Sequence, residues 1–386
     1  MVSWKRHFSR FLGAAPGRLH FAAHSHHAWP DVTWEAQEEA WRDAAALADL
    51  KWEKVFGEVV PAAQRHVARQ LGLPDPETVA FAPSTHDLVT RVISCLDRPT
   101  PIHVVTTDAE FHSFERQARR LEEAGRARVE RVSLEPFDTF PDRLASAVGR
   151  VGLHVVYVSQ VFFDSGYVLQ DLGAIVDAVP DRRTFVIVDG YHSFMARPVD
   201  LSALHGRVFF VAGGYKYAMS GEGVCFLHAP PGYGERPVLT GWFAGFADLE
   251  AGVRRVSYPA GGARFLGATL EPTAIYRFNA VQDWLRREGV AVAAIHERAG
   301  ALQRRFLQGL GARRTALHPE DLVPPASVRE RGNFLTFRFP GALALHRRLL
   351  ERGVVTDVRM ERLRVGFGLY HDEDDVDALL ERLPAS

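Results

Sequence analysis

The chain has 386 residues, with 46 Lys plus Arg against 47 Asp plus Glu, 47% apolar residues and 24% charged residues. That length predicts a large domain plus a smaller one, and the ordinary composition excludes a mostly disordered or collagen-like polymer. The net charge of -1 gives no general attraction to nucleic acid or anionic lipid, so neither is expected as a partner and an anionic ligand must be caught locally.

Residues 1–20 are interrupted by Lys5, Arg6, His7, Arg10 and Arg18 and hold no signal-peptide apolar run, and no later stretch is long enough to span a bilayer. The expectation is a soluble, cytoplasmic protein. Residues 31–72 predict two helices broken near Gly57 to Pro61, with Trp29, Trp34, Trp41 and Trp52 in or beside them, mostly as packing residues. From 79 to 228 short β-branched runs (VAFA, IHVVTT, ARVERVSL, LHVVYVS, TFVIVD, RVFFVAG, GVCFLHA) alternate with helical stretches. Near-continuous apolar strands separated by amphipathic helices predict an α/β fold with a mostly parallel central sheet flanked by helices. Ligands of such sheets sit outside the carboxyl ends of the strands, where Ser84, Thr85, Thr106, Thr107, Ser159 and Asp189 fall.

A helix from Glu271 leads into a second region of alternating helices and strands, read as a smaller α+β C-terminal domain, with the large domain spanning 1–275 and the small one 276–386. Residues 317–332 read as a connecting loop within it. Cys95 and Cys225 lie in apolar segments and read as small buried side chains, not as a disulfide or metal set.

The basic residues carry a sharper signal. Only four are lysines, and Lys216 is the only one after Lys54, set between glycines and aromatics in AGGYKYAMSGEG. Arg stays protonated, whereas a desolvated Lys amine can lose its proton and attack a carbonyl; the other reading is a lysine snorkelling from a loop. Asp189, 27 residues earlier in IVDGYH, ends an apolar strand, where its carboxylate can pair with a protonated pyridine nitrogen. Together they favour pyridoxal 5'-phosphate. Ser84 and Thr85 stand where a helix begins, suited either to holding its phosphate or to plain capping.

In DGYH, GGYKY and GWF the sequence resembles the fold-type I pyridoxal-phosphate enzymes of the class V aminotransferase superfamily, and within it the kynureninases. The resemblance runs from FAAHSHHAWP to LRVGFGLYHDEDDV. It implies Lys216 as the Schiff-base lysine, Asp189 as the pyridine-nitrogen partner, His192 as a cofactor contact, and Tyr215 as a phosphate contact and proton relay. From AEFHSF it implies Phe111 as the aromatic lid on the cofactor ring and Ser113 as a neighbour; Ser159 resembles another cofactor-site serine. Trp242 and Thr269 resemble phosphate contacts given from a second subunit, implying a homodimer with shared active sites. Arg364 matches the arginine that clamps the substrate α-carboxylate. Two departures stand out. His24, Ser25, His26 and His27 replace the kynureninases' Asn-Ser-Leu-Gly, which leaves His24 and Ser25 as substrate-side residues, and Phe114 replaces an aspartate. His24 and His26 would share a face on a strand, yet no carboxylate or thiol pattern completes a metal site, so no metal is expected.

The implied substrate is an α-amino acid. A kynureninase-like enzyme would hydrolyse the Cβ–Cγ bond of kynurenine or a related substrate to an aromatic acid and alanine, in tryptophan catabolism; a class V aminotransferase would use the same cofactor residues to pass an amino group to a 2-oxo acid. A cysteine desulfurase is disfavoured, because no cysteine follows Cys225. A non-catalytic scaffold is disfavoured by the retained Lys216 and Asp189.

Overall fold

The computed structural model describes residues 2–96, 101–246, 255–328 and 330–385. A two-residue strand, β1 (Leu19–His20), comes first. The large sheet follows with β2 (Val79–Ala82), β3 (Ile102–Thr107), β4 (Ala127–Val132), β5 (Val155–Ser159), β6 (Phe185–Asp189), β7 (Val208–Gly213) and β8 (Cys225–His228). Its spatial order is β2-β8-β7-β6-β5-β3-β4. β4, β3, β5, β6 and β7 pair in parallel, and only β8 runs against both of its neighbours. The mostly parallel sheet is as expected.

Alternation along each strand divides its side chains between two layers. Val156 and Val158 of β5, Val186 and Val188 of β6, and Val208, Phe210 and Ala212 of β7 enter one core. Val155 and Tyr157, Phe185 and Ile187, and Phe209 and Val211 enter the other. Helices cover both faces: Phe140–Val148 and Thr273–Arg287 pack in the first core, and Thr85–Ile93 and His112–Glu123 in the second. A strand buried on both faces has no polar side to show, which is why these segments read as continuous apolar runs.

A third core lies under an antiparallel sheet of β9 (Leu322–Val323), β10 (Phe334–Arg338), β12 (Asp357–Arg359) and β13 (Arg362–Gly366), in the order β12-β13-β10-β9, covered by helices Val292–Gly311, Ala342–Glu351 and Glu373–Arg382. β11 (Val354–Val355) pairs instead with β1, and Phe21 from the start of the chain is fully buried in this third core. The stretch expected to be a loop over 317–332 holds β9, whose Leu322 and Val323 pair with Phe337 and Thr336; two residues ending at Pro324 are too few to show a period. Trp34 and Trp41 correct the packing expectation, since both face outward from the helix Val32–Leu47, while Trp52 stacks on Phe56. Cys225 is buried and Cys95 half-buried, both as free thiols. Among the described residues no helix is long and apolar enough to cross a membrane, and no group of three or more His, Cys, Asp or Glu could hold a metal.

Several histidines are built into these cores as neutral groups. Burial lowers His228 and His27 to about 4 and His20 to about 3. The imidazole of His228 is held between Thr78 Oγ1 and the carbonyl of His205, both at 2.9 Å. A base whose folded-state pKa lies below its unfolded value costs nothing above pH 6.5. Below it the unfolded chain takes up protons that the folded chain refuses, so stability falls by roughly 1.4 kcal/mol per pH unit per histidine. Urea unfolding followed from pH 7 to pH 4 is therefore expected to show a steep loss of stability, and His228→Gln, though less stable at pH 7, to reduce the proton uptake linked to unfolding by about one.

Candidate active site

Lys216 follows β7 in a tight turn and is only 5% exposed. Its Nζ lies 2.7 Å from His192 Nε2 and 4.4 Å from the centre of the Tyr191 ring, with the Phe111 and Tyr215 rings at 5.5 and 5.6 Å. Burial lowers the amine to about 7; Asp189 opposes that shift and Arg364 adds to it. At neutral pH a large fraction of Lys216 is therefore the free base, the form that can attack a carbonyl or accept a proton.

Asp189 closes β6 beside Ser159, its register partner at the end of β5. Its Oδ1 accepts the Tyr191 N–H and its Oδ2 the Tyr157 hydroxyl, both at 2.9 Å. Burial raises the carboxyl, and Tyr191, Lys216 and Tyr157 pull it back. Gly190 lets the chain turn here, because a Cβ at that position would lie 1.9 Å from the Phe210 ring. Ser84 caps the helix Thr85–Ile93, accepting the Asp87 N–H at 3.1 Å.

These elements enclose a cavity of about 130 Å³ lined by Ser84, Thr85, Phe111, Ser113, Ser159, Asp189, His192, Tyr215 and Lys216. Nine of the residues singled out in the sequence thus meet in one place. Pyridoxal 5'-phosphate fits this set: Lys216 offers a neutral amine, Asp189 an acceptor for a ring N–H, the helix that starts at Thr85 its unpaired N–H groups for a phosphate, and the buried His192 a ring nitrogen, Nδ1, with no protein partner.

The remaining predicted residues lie outside that lining. Arg364 on β13 is buried and already engaged, with Nη2 2.8 Å from Asp357 Oδ1 and Nη1 donating to the Phe163 carbonyl; its Nε has no partner. His24 is fully buried in a turn, stacked on Phe334 with ring centres 4.6 Å apart, and neither ring nitrogen has a partner. Gly366 makes room for it, since a Cβ there would lie 2.1 Å from His24 Nδ1. His24 and His26 do not share a strand face: His26 is exposed and stacks on Tyr215, its ring centre 5.0 Å away. Ser25 is half-buried, with Oγ 3.3 Å from His26 Nδ1. Trp242 is 45% exposed and donates to Thr269 Oγ1 at 3.3 Å.

Sequence reasoning missed Tyr157, Glu110 and Asp357. Glu110 is buried, with Oε1 accepting from Thr107 Oγ1 at 2.8 Å and the Ser159 N–H at 3.1 Å, and Oε2 2.5 Å from Ser159 Oγ. Burial raises its carboxyl to about 8, so near neutrality it holds a proton within that short contact. Only Tyr157 left a usable sign: it stands two residues before Ser159, on the same face of β5.

The amine state is directly measurable. In competitive labelling of the cofactor-free protein, Lys216 is expected to titrate near pH 7, whereas Lys5 and Lys54, paired with carboxylates, lie above the usual lysine value. Asp189→Asn should move the Lys216 midpoint further down, because it removes the carboxylate that favours the ammonium.

Residues 30–379 match the family described as Aminotransferase class-V. The chain is 30% identical over 250 residues to the kynureninase of Deinococcus radiodurans, covering 64% of this chain and 58% of that protein. It is 29% identical over 238 residues to the kynureninase of Pseudomonas fluorescens, covering 59% and 54%. The match thus spans little more than half the length of those two relatives. Isopenicillin N epimerase of Streptomyces clavuligerus is 27% identical over 346 residues, covering 84% and 83%. Among solved structures, a cysteine desulfurase from Thermococcus onnurineus has a TM-score of 0.82 at 17% identity, covering 99% and 97%, and a C-DES mutant with glycine linked to its cofactor 0.80 at 18%, covering 99% of both chains. The chain belongs to the class-V aminotransferase family, pyridoxal-phosphate enzymes of fold type I.

Proposed function

We propose that this chain is a pyridoxal-phosphate enzyme acting on an α-amino acid, and that it hydrolyses the Cβ–Cγ bond of kynurenine or a related substrate to an aromatic acid and alanine. The observation that carries the reading is the desolvated Lys216 amine sharing one cavity with the Asp189 carboxylate. The kynureninase relatives support the choice of reaction. The desulfurase alternative is less well supported: Cys225 lines the cavity but is buried on β8, and burial raises its thiol to about 11 and the Cys95 thiol to about 12.

When bound, pyridoxal 5'-phosphate supplies an electron sink for charge left at a substrate carbon. Lys216 Nζ, as free base, removes and returns the proton at the substrate Cα. Lys216 Nζ and His192 Nε2 lie 2.7 Å apart and share one hydrogen bond, which fixes the direction of the amine against the imidazole. Asp189 would hold the proton of a ring nitrogen, Phe111 would cover the ring, and Ser84 and Thr85 at the helix N-terminus would hold the phosphate. Arg364, steadied by Asp357 and the Phe163 carbonyl, provides the charge for the substrate carboxylate. His24 and Ser25 serve the substrate side, and Tyr215 relays protons. The exposed Trp242, bonded to Thr269 and beside exposed Phe246, offers a surface that a second copy of the chain would cover in a homodimer.

The test is a product assay. Holoenzyme given kynurenine or 3-hydroxykynurenine is expected to release the matching aromatic acid and alanine; failure of both, with turnover of an amino donor and a 2-oxo acid, would establish the aminotransferase. Lys216→Ala should lower turnover by about a thousandfold or more, and borohydride reduction with peptide mapping should find the cofactor on Lys216 in the native chain and nowhere in the variant.

A further inference from the structure

Asp189 is the one carboxylate lining the cavity, and its two oxygens are not held alike. Oδ1 takes a backbone N–H, that of Tyr191, which any side chain at 191 would supply. Oδ2 takes a side-chain hydroxyl from the neighbouring strand, Tyr157 on β5, at 2.9 Å. Tyr157 is 3% exposed, and the described structure gives its hydroxyl no other partner than Asp189.

The Tyr157 ring is fixed as tightly as its hydroxyl. Phe114, from the helix His112–Glu123, lies flat on it with ring centres 3.6 Å apart and planes 4° apart. That helix begins directly after Phe111, which closes the cavity, so one short element both covers the site and clamps the group behind its carboxylate. The charged and titratable groups around Asp189 are Lys216 and Tyr215 after β7, Cys225 on β8, Glu110 behind Ser159, and Tyr157 itself. Among them only Lys216 and Tyr157 favour the ionised carboxylate, since Glu110 opposes it whenever it loses its proton. Once the Lys216 amine is neutral, or is consumed by bonding to a carbonyl carbon, the Tyr157 hydroxyl is the one side-chain contact left that favours the anion.

We propose that Tyr157, clamped by Phe114, is a positioning residue that keeps Asp189 ionised and oriented into the cavity when Lys216 carries no charge. The role of Asp189 toward a ring nitrogen rests on the pyridoxal-phosphate reading; its hold by Tyr157 does not. A hydroxyl is suited to this task because it stabilises the negative oxygen by one directed hydrogen bond and adds no charge that would compete with a ligand cation.

The test uses the full chain with 13C-labelled aspartate, the Asp189 carboxyl signal being assigned by its loss in Asp189→Asn. In Tyr157→Phe the Asp189 carboxyl is expected to titrate at least about half a pH unit higher than in the native chain, with the Lys216 labelling midpoint moving down. Phe114→Leu, which keeps the hydroxyl and removes its clamp, should give a smaller shift of the same sign and decides the matter if Tyr157→Phe does not fold. An unchanged Asp189 midpoint in the folded variants overturns the proposal. With 15N-labelled pyridoxal 5'-phosphate bound, the ring-nitrogen signal of Tyr157→Phe should move toward its unprotonated position. If the carboxyl shift is seen but the native chain binds no cofactor, the positioning role stands and the cofactor reading falls.

Discussion

An ammonium group deep in a protein is usually kept there by a carboxylate in direct contact. Lys216 is placed differently, with its Nζ against a neutral imidazole and three aromatic faces while Asp189 acts only through space. Desolvation therefore wins over attraction, and the amine spends much of its time uncharged at neutral pH. Had Asp189 touched the lysine, the result would be a structural ion pair with no free nucleophile and no free acceptor. Asp189 ends β6 and Lys216 sits in the turn after its neighbour β7, which keeps the groups in one cavity without direct contact.

The sheet produces this separation. Parallel pairing brings the ends of β5, β6 and β7 to the same edge, and the period of two decides which residues lie behind that edge. Tyr157 and Ile187 point into the same layer as Phe114, so an aromatic pair fills the space beneath Asp189. Ser159, one period beyond Tyr157, is instead tied by Glu110 to the end of β3 through Thr107. The polar edge is thus braced from behind by two different devices, one aromatic and one acidic.

Much of this was legible beforehand. Continuous β-branched runs gave the strands, the positions just after them gave Ser84, Ser159 and Asp189, and a lone lysine among arginines gave Lys216. What stayed hidden depends on contacts between residues far apart in sequence. Asp357 carries no local sign, and Arg364, expected to clamp a substrate carboxylate, gives none that β12 and β13 set it opposite Asp357 in a buried pair. Glu110 carries no local sign that it would be enclosed by Thr107 and Ser159. Trp34 and Trp41 misled in the other direction, because residue type favours burial while the helix face they occupy points to solvent.

The start of the chain belongs physically to its end. β1 pairs with β11, Ala22 bridges Gly366, Phe21 fills the third core, and His24 rests on Phe334 and Gly366. This stretch is a structural staple, so deleting the first two dozen residues would open the carboxy-terminal lobe and expose the aromatic floor beneath Arg364. His24 therefore takes its place from the strands that carry Phe334 and Arg364, and not from the sheet that carries Asp189.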